Sequence, residues 1–324
     1  MDYQRPASTI SLAPLESLFD PGSRTFLIYL ASSLLLAVLI HLKHARTHND
    51  TPGVIQGIFP KDVYTHPSAR VDYLYFITNS ILYASILAPF IGLGYLVSRH
   101  LYDALGTVFT PSVLTNLSPL WATIIFSIVM VLLADFSTFI THYWMHRIPV
   151  LWEFHKVHHS AEVLTPLTAY RIHPLDDILT MCVIGLLTGS ANALARFFVS
   201  PAISSYSVYG LSLASYLFFL TGYHLRHSHI WLSYGPVLSR IFISPAQHQI
   251  HHSKAKRHWD KNFGFIFATW DYLFGSLYVP KEKETIEFGI GGGEEHLYSS
   301  PLKLYVLPFK KAFALLIRKP IRKE

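Results

Sequence analysis

Histidines at helical spacing are the part of this sequence that could do chemistry. Three clusters stand out: His142 and His146, then His155, His158 and His159, then His248, His251 and His252. Residues three or four positions apart stand on one face of an α-helix, so each cluster can present several imidazoles to one point. Neutral imidazole is the commonest metal ligand among side chains. The spacing therefore predicts a metal site built from separate stretches of the chain.

The number of histidines indicates more than one metal ion. Of the 19 histidines, 13 lie between His142 and His258, whereas the single cysteine, Cys182, lies in an apolar run away from them. Such a set suits iron, zinc, copper or nickel rather than an iron–sulfur cluster or calcium. One metal site takes roughly three to five protein ligands, so this supply fits two ions in a shared pocket.

The composition indicates that these histidines belong to a membrane protein. Hydrophobic residues make up 51% of the 324 residues, charged residues only 14%, and the mean hydropathy is +0.32. A globular surface that faces water carries more charge than this. Apolar segments close to the roughly 20 residues that a helix needs to cross a bilayer occur at residues 25–42, 73–97 and 120–141. The third segment leads directly into the first histidine cluster.

A longer apolar region covers residues 178–222. Arg196, Ser200 and Pro201 interrupt it, which predicts two helices that turn back on each other. We expect an all-α integral membrane protein with about three transmembrane helices, this helical hairpin, and a histidine-rich cytoplasmic helical cap that holds a dimetal site. The expected units are an N-terminal membrane region over residues 1–118, a histidine-bearing domain over 119–280, and a cytoplasmic tail over 281–324 that could include an amphipathic helix.

The basic residues set the expected orientation. Lys43, Arg46, Lys61 and Arg70 lie between the first two apolar segments, and Arg147, Lys156 and Arg171 follow the third, whereas residues 101–119 contain no lysine or arginine. We therefore expect a multi-pass protein of the bacterial inner membrane or the endoplasmic reticulum, with its histidines on the cytoplasmic side. The net charge of +6 suits anionic lipid head groups rather than nucleic acid, because the basic residues form no aromatic-interleaved stripe.

Asp135 is the one carboxylate within the third apolar segment. It precedes His142 by seven residues and His146 by eleven, so the three share a face of the helix. A carboxylate in an apolar helix is costly and by default marks a functional site. We expect Asp135 to accept a hydrogen bond from the N–H of a metal-binding imidazole. Direct metal binding and helix packing against a Ser or Thr are the alternatives.

The histidine clusters also carry a family resemblance. Residues 142–160 (HYWMHRIPVLWEFHKVHHS) resemble the first two histidine boxes of the fatty acid hydroxylase and sterol desaturase superfamily, and residues 244–253 (SPAQHQIHHS) resemble its third box. Residues 260–264 (DKNFG) and 270–275 (WDYLFG) are similar to the stretch that closes that domain. The resemblance implies that residues 119–280 form a catalytic domain of this type, a membrane-bound di-iron oxidase that hydroxylates or desaturates a lipid C–H bond with dioxygen as co-substrate.

The resemblance also implies which residues bind the two iron ions. The core ligands would be His142, His146, His155, His158, His159, His248, His251 and His252. Because family members recruit further histidines between the second and third boxes, His173, His224, His227 and His229 are candidates. His224 and His227 are one turn apart and could share a side, whereas His229 would point elsewhere on a continuous helix. His224 and His229 could instead have a hydrogen-bonding role, and His258 could either complete the set or pair with Asp260.

The partners and the rival functions follow from the same features. The substrate would be a sterol, fatty acyl chain or related lipid from the bilayer. A separate electron donor, similar to ferredoxin, rubredoxin or cytochrome b5, is implied because the sequence has no haem or flavin motif. The alternative is a histidine-rich membrane metal transporter or sensor, which would place ionisable residues at mid-membrane, whereas these clusters lie beyond the helix ends. A metal-dependent hydrolase would usually carry a general-base glutamate as in H-E-x-x-H, and neither H-x-x-H-H cluster contains one.

Overall fold

Helices make up most of the fold. The computed structural model describes residues 13–111, 117–205, 207, 208 and 211–317. In chain order the longer helices are α1 (Leu27–Ala45), α2 (Pro67–Ile91), α3 (Leu93–Val108), α4 (Pro119–Arg147), α5 (Pro149–His159), α6 (Pro174–Phe198), α7 (Leu213–Leu220), α8 (Pro245–His251) and α9 (Pro301–Ile317). Short helices or 3-10 turns cover Ala13–Glu16, Val54–Ile58, Lys61–Tyr64, Pro166–Tyr170, Tyr223–His227, Gly235–Leu238, Lys256–His258, Thr269–Phe274 and Glu295–Tyr298. One antiparallel pair joins the two-residue strands Ser207–Val208 and Leu211–Ser212.

Three helices are long and apolar enough to cross a membrane. They are α1, α4 and α6. The segment Pro67–Val108, which contains α2 and α3, is a fourth candidate if its two parts, Pro67–Leu82 and Ser85–Val108, are counted as one span bent by 58°. Large apolar side chains such as Leu35, Ile128 and Leu186 are exposed along the three helices. An exposed apolar helix surface of this length is what a bilayer core covers. The protein is therefore an all-α membrane protein.

The helices differ in detail from the predicted segments. The segment predicted at residues 73–97 falls on α2 and α3, and Pro89 lies inside α2 rather than at its end. The region 178–222 does not form two comparable helices. Instead α6 is one helix of 25 residues that ends at Phe198, just before Ser200 and Pro201, and the returning chain contributes only the eight residues of α7.

Glycines let α3 and α6 approach each other closely. A Cβ atom added at Gly189 would lie 2.5 Å from the carbonyl oxygen of Gly94, and one added at Gly185 would lie 3.1 Å from the nitrogen of Gly94. The Ser98 hydroxyl donates to the Asn192 side chain across the same contact, at 2.9 Å. Where two helices cross at small residues, their backbones can touch directly, as is common among membrane helices. This packing fixes α6, whose first turn lies at the histidines.

A buried ion pair fixes the histidine-bearing helix α5 to the rest of the fold. The guanidinium of Arg171, which is 1% exposed, donates to Asp72 of α2 at 2.8 Å. It also donates to the Ser160 hydroxyl, directly after α5, at 2.8 Å and to the carbonyl of Tyr298 at 3.1 Å. Burial of an ion pair is tolerated when further hydrogen bonds satisfy both ions. Arg171 therefore joins α2, the end of α5 and the C-terminal segment at one point.

Candidate metal centre

Three local structures present the histidine clusters. His142 and His146 occupy the last turns of α4, and α5 follows after the single residue Ile148. Pro149 has no N–H to continue α4 and is well suited to the first position of a new helix, so the chain turns here. A capping box, in which Ser244 and Gln247 cap each other's backbone, begins α8, which contains His248 and His251 and is followed directly by His252. The three clusters therefore lie at the end of the long helix α4, on the short helix α5, and on and directly after the short helix α8.

The structure assembles nine of the predicted ligands into two groups. The group of five consists of His142, His146, His155, His159 and His251, and the group of four consists of His158, His227, His248 and His252. Within each group the candidate ligand atoms lie within 4.8 Å of one another. The groups adjoin, because the rings of His159 and His252 stack with their centroids 4.6 Å apart. Residues far apart in sequence therefore form one double cluster.

The group of five is arranged to receive a cation. His142 Nδ1 donates to the carbonyl of Phe263 at 2.8 Å, and His251 Nδ1 donates to the carbonyl of Lys261 at 2.8 Å. His155 Nδ1 donates to the Asp176 carboxylate at 2.9 Å. Because each neutral ring has one N–H, these bonds leave the Nε2 lone pair free. All five Nε2 atoms are buried without a hydrogen-bond partner among the described residues. Five buried acceptors with no donor fit a metal ion.

In the group of four, ring nitrogens face one another. The distance between Nε2 of His227 and Nε2 of His158 is 3.3 Å, and the distances from His248 Nε2 to His227 Nε2 and to His252 Nε2 are 3.0 and 3.2 Å. The four Nδ1 atoms are buried without a partner in the described part of the chain. Four neutral rings carry only four N–H groups for eight nitrogens, so unpaired lone pairs remain. A shared cation satisfies such a set.

Burial keeps the histidines that lie outside the candidate membrane helices in the neutral form. It lowers the pKa of His155 to about 3, and the neighbouring imidazoles add to burial in lowering the pKa of the others. The pKa falls well below 6.5 for His158, His159, His227, His248, His251 and His252. A metal ligand must be unprotonated, so these shifts prepare the lone pairs for binding.

Asp135 does not act as expected. Its carboxylate accepts hydrogen bonds from the backbone N–H of Ile266 at 2.7 Å, from that of Phe267 at 3.1 Å, and from the Trp270 indole at 2.9 Å, rather than from an imidazole. The physical reason is that the loop after Phe263 folds back onto α4 and brings its unpaired N–H groups to this carboxylate. Asp135 thus holds the loop whose Phe263 carbonyl orients His142.

Four predicted ligands lie outside both groups. The Nε2 atoms of His173, His224 and His229 bond to the backbone carbonyls of Tyr305, Arg24 and Gly57, at 3.2, 2.7 and 2.9 Å. His258 Nε2 contacts the Glu284 carboxylate at 3.1 Å rather than Asp260. His173 also caps α6 by accepting from Leu175 N–H. Both ring nitrogens of His173 are bonded, and one ring nitrogen of each of the other three bonds to a neighbouring element, so these side chains connect the segments around the two groups.

Two site residues were absent from the sequence-based prediction. Asp176 binds the His155 ring, and its signal was an acidic residue in the first turn of an apolar helix. Asp271 accepts from the N–H groups of Phe263 and Gly264, both at 2.8 Å, and burial raises its pKa to about 6. No spacing rule links Asp271 to the histidines, because it acts through the loop that Asp135 also holds.

Replacing Asp176 with asparagine is expected to weaken metal binding tenfold to about a hundredfold, the usual cost of losing a carboxylate behind a metal-binding histidine. The amide would keep the shape but remove the charge that orients His155. Metal affinity measured by competition with a chelator tests this. The exposed Asp103, changed to asparagine, is the control for loss of one carboxylate. An unchanged affinity in Asp176→Asn would show that His155 needs no anionic partner.

Two adjoining cavities connect the histidines with the space between the membrane helices. The larger, of about 750 Å³, runs along α4 from Ser127 to Thr138 and along α6 from Asp177 to Thr188. The smaller, of about 120 Å³, is lined by members of both histidine groups. Seven residues line both, so the cavities meet at a common neck. Eleven helical residues extend about 17 Å, a length suited to an acyl chain.

Comparisons with known proteins agree with this site. Residues 127–276 match the fatty acid hydroxylase family. Alkylglycerol monooxygenase of Caenorhabditis elegans is 24% identical over 173 residues, 53% of this chain and 31% of that protein. Ornithine lipid hydroxylase OlsE of Rhizobium tropici is 24% identical over 200 residues, 58% of this chain and 56% of that protein. Delta(7)-sterol 5(6)-desaturase of Eremothecium gossypii is 27% identical over 154 residues, 46% of this chain and 36% of that protein.

These matches cover only part of each relative. The chain spans between 31% and 56% of the length of these three relatives. No solved structure matches the chain. The family match contains all three histidine boxes and every residue of the two groups. By that match, which covers less than half of the chain, and by the similarity to lipid hydroxylases and sterol desaturases, residues 127–276 resemble the fatty acid hydroxylase and sterol desaturase superfamily.

Proposed function

We propose that this protein is a di-iron, dioxygen-dependent oxidoreductase that hydroxylates or desaturates a C–H bond of a membrane lipid. The observation that carries the proposal is the double histidine cluster at the end of a lipid-sized cavity. Nine imidazoles exceed what one ion can bind, and two adjoining groups fit two ions. The relatives named as monooxygenase, hydroxylase and desaturase support an oxidative reaction.

The chemistry requires a metal that changes oxidation state. Two iron ions bound by imidazoles would supply the electrons that cleave dioxygen, which zinc cannot do. Hydroxylation consumes R–H, dioxygen, two electrons and two protons and yields R–OH and one water. Desaturation uses the same oxidant and electrons but removes two hydrogens from adjacent carbons and yields two waters. The electrons would come from a separate redox protein of the ferredoxin, rubredoxin or cytochrome b5 type.

The residues of this chain would position the reaction and keep it dry. Phe263, Lys261 and Asp176 hold three rings of the group of five through their Nδ1 atoms. Preorganised ligands of this kind need no rearrangement when the metal binds. The wall of the large cavity contains apolar residues such as Met130 and Ile184. A lipid tail in this cavity would exclude water from the neck, which protects a reactive oxidant.

The orientation of the site is part of the proposal. The basic residues that flank the candidate spans favour a cytoplasmic position for the histidine cap, in the bacterial inner membrane or the endoplasmic reticulum. An electron donor of the cytoplasm would then reach the cap directly, while the lipid arrives from the membrane plane. Residues 281–317 would lie on the same side, because α9 packs against α5 through the contact of Phe309 with Phe154.

Iron content and oxygen incorporation test the function together. We expect full-length protein, purified without a histidine tag, to contain about two iron ions per chain, in line with its two groups. Lipids from cells that express it under isotopically heavy dioxygen are expected to carry a new heavy hydroxyl group or a new double bond. Cells that express a chain with alanine at both His248 and His251 are the control. A redox-inert metal with no dioxygen-dependent lipid product would refute the oxidase and favour a metal transporter or sensor.

A further inference from the structure

The group of five has a side that the two cavities do not reach. His142 and His155 line the smaller cavity, whereas His146 and His159 do not. The side chain of His146 is also partly exposed, although its Nε2 atom is buried. A lipid in the cavities therefore leaves this second side of the group open towards the surface of the cap. A protein that supplies electrons can approach the site from here.

Trp152 covers this second side. It lies near the start of α5, and the centroid of its ring is 4.9 Å from that of His146, 5.5 Å from that of His159 and 6.2 Å from that of His155. Trp152 is half-buried and lines neither of the two cavities. One large aromatic ring thus fills the space between three imidazoles of the group and the protein surface.

Arg147 and Ile148 continue the surface beside Trp152. Arg147 is the last residue of α4, Ile148 links α4 to α5, and both side chains are exposed. The backbone N–H of Trp152 donates to the Ile148 carbonyl at 2.9 Å, so these residues belong to one turn of the chain. Arginine and tryptophan are enriched in protein–protein interfaces. This turn therefore has the composition of a binding surface.

The loop next to this turn makes the surface basic. The Arg147 guanidinium lies 3.7 Å from the Asp260 carboxylate, and Lys256 and Lys261 lie on either side of Asp260 in the chain. Neither lysine forms an ion pair within the described part of the chain, so the positive charges exceed the negative charge of Asp260. The Lys261 carbonyl also accepts the Nδ1–H of His251 at 2.8 Å, which places this loop against the group of five.

We propose that an acidic one-electron donor protein binds to a docking surface formed by Arg147, Ile148, Trp152, Lys256 and Lys261, and that its electrons reach the group of five through Trp152. This rests on the proposed lipid oxidation and adds where its redox partner binds and which charge that partner carries. Opposite charge steers such a donor to the surface, and a small interface is typical of a transient electron-transfer complex.

The electron count of the proposal is that of the proposed reaction. Each donor molecule loses one electron and the metal site gains it, so two donor molecules supply the two electrons that one turnover consumes. Electron tunnelling slows steeply as the unfilled gap between two redox centres lengthens. The Trp152 indole fills that gap through its contacts with three imidazoles and is not itself reduced.

Binding of an acidic plant-type ferredoxin to the metal-loaded, full-length protein in detergent tests the docking surface. The affinity is expected to fall as the salt concentration rises, because salt screens exposed charges. Arg147→Gln is expected to weaken binding by about twofold to fivefold, the usual effect of one exposed charge pair. Arg240→Gln is the matched control. Arg240 is exposed next to Ile241, whose carbonyl bonds to Ala268 near the loop that Asp135 holds, about 18 Å from Arg147 along α4.

Anaerobic reduction of the bound metal by reduced ferredoxin tests the route through Trp152. Trp152→Leu is expected to lose most of the reduction rate at saturating ferredoxin. Reduction by dithionite, a small ion that needs no docking surface, is expected to stay unchanged. Trp152→Phe keeps an aromatic ring and is expected to retain most of the ferredoxin rate. Metal content and thermal midpoint are expected to be equal in the three proteins.

Absent or salt-independent ferredoxin binding, or equal binding by Arg147→Gln and Arg240→Gln, would overturn the docking surface. A normal ferredoxin rate in Trp152→Leu would overturn the route, and so would an equal loss with dithionite, since that result reveals a packing role. Neither measurement needs lipid or dioxygen. A protein that takes electrons in this way but oxidises no lipid would therefore refute the proposed function alone, as would a metal that dithionite cannot reduce in a protein that still binds ferredoxin as expected.

Discussion

Replacing His248 with alanine is expected to remove one of the two metal ions and to lower lipid oxidation by at least about a hundredfold. His248 Nε2 lies 3.0 Å from His227 Nε2 and 3.2 Å from His252 Nε2, so it is central to the group of four. Loss of a residue that hydrogen-bonds to a metal ligand already lowers metal affinity or activity by about tenfold to a hundredfold, and loss of the ligand itself is expected to lower them further. Iron per chain and initial rate are the measurements.

The group of five provides the complementary variant. His251→Ala is expected to lower activity to the same extent but to remove the ion of the other group, because its Nε2 faces the buried nitrogens of that group. His229→Ala is the control, since its ring bonds to the Gly57 carbonyl and lies outside both groups. The two-group interpretation fails if His248→Ala retains all its iron, or if His229→Ala loses as much iron as either variant.

Replacing Asp135 with alanine is expected to lower the free energy of unfolding by on the order of 4 kcal/mol. The change leaves one buried and two partly buried donors without their acceptor, namely the backbone N–H groups of Ile266 and Phe267 and the indole of Trp270. Each buried unsatisfied group costs about 1–3 kcal/mol. For a protein of this size the thermal midpoint would fall by roughly 10 °C. Thermal unfolding followed by tryptophan fluorescence measures the shift.

The same variant also tests how the loop reaches the metal site. Because Asp135 holds the loop that begins at Phe263, and the Phe263 carbonyl orients His142, iron affinity should fall together with stability. Asp135→Asn keeps one oxygen acceptor and is expected to lie between the original chain and Asp135→Ala. Asp103→Asn, at an exposed position, should leave both properties unchanged. A normal thermal midpoint in Asp135→Ala would contradict the anchoring role.

Local periodicity explains which parts of the structure were predictable. The third apolar segment was expected to run into the first histidine cluster, and α4 carries His142 and His146 in its last turns. Helical spacing determines which residues share a face, so the convergence within each box follows from the sequence. Composition similarly determines that the long helices face lipid. The helices of residues 178–222 were harder to predict. Hydropathy does not distinguish a helical segment from an equally apolar segment that is largely non-helical.

The division of the histidines into two groups follows from tertiary contacts. His155, His158 and His159 are adjacent on α5, yet His158 joins a different group from its neighbours. Helix geometry turns successive residues by about 100°, but only the packing of α5 against α4 and α8 decides which partner each ring meets. His227 meets the group of four, while nearby His224 and His229 bond to backbone carbonyls of distant segments.

By itself the sequence determined the membrane character of the chain and the three clusters of eight histidines at helical spacing, because composition and spacing act through local geometry. Only the tertiary structure decided that Asp135 and Asp271 hold a loop, that Asp176 orients His155, and that the two cavities meet at a common neck. Each of these depends on side chains and backbone groups brought together from separate elements. A hydrogen bond is directional and short, so its partners are defined only once the chain is packed.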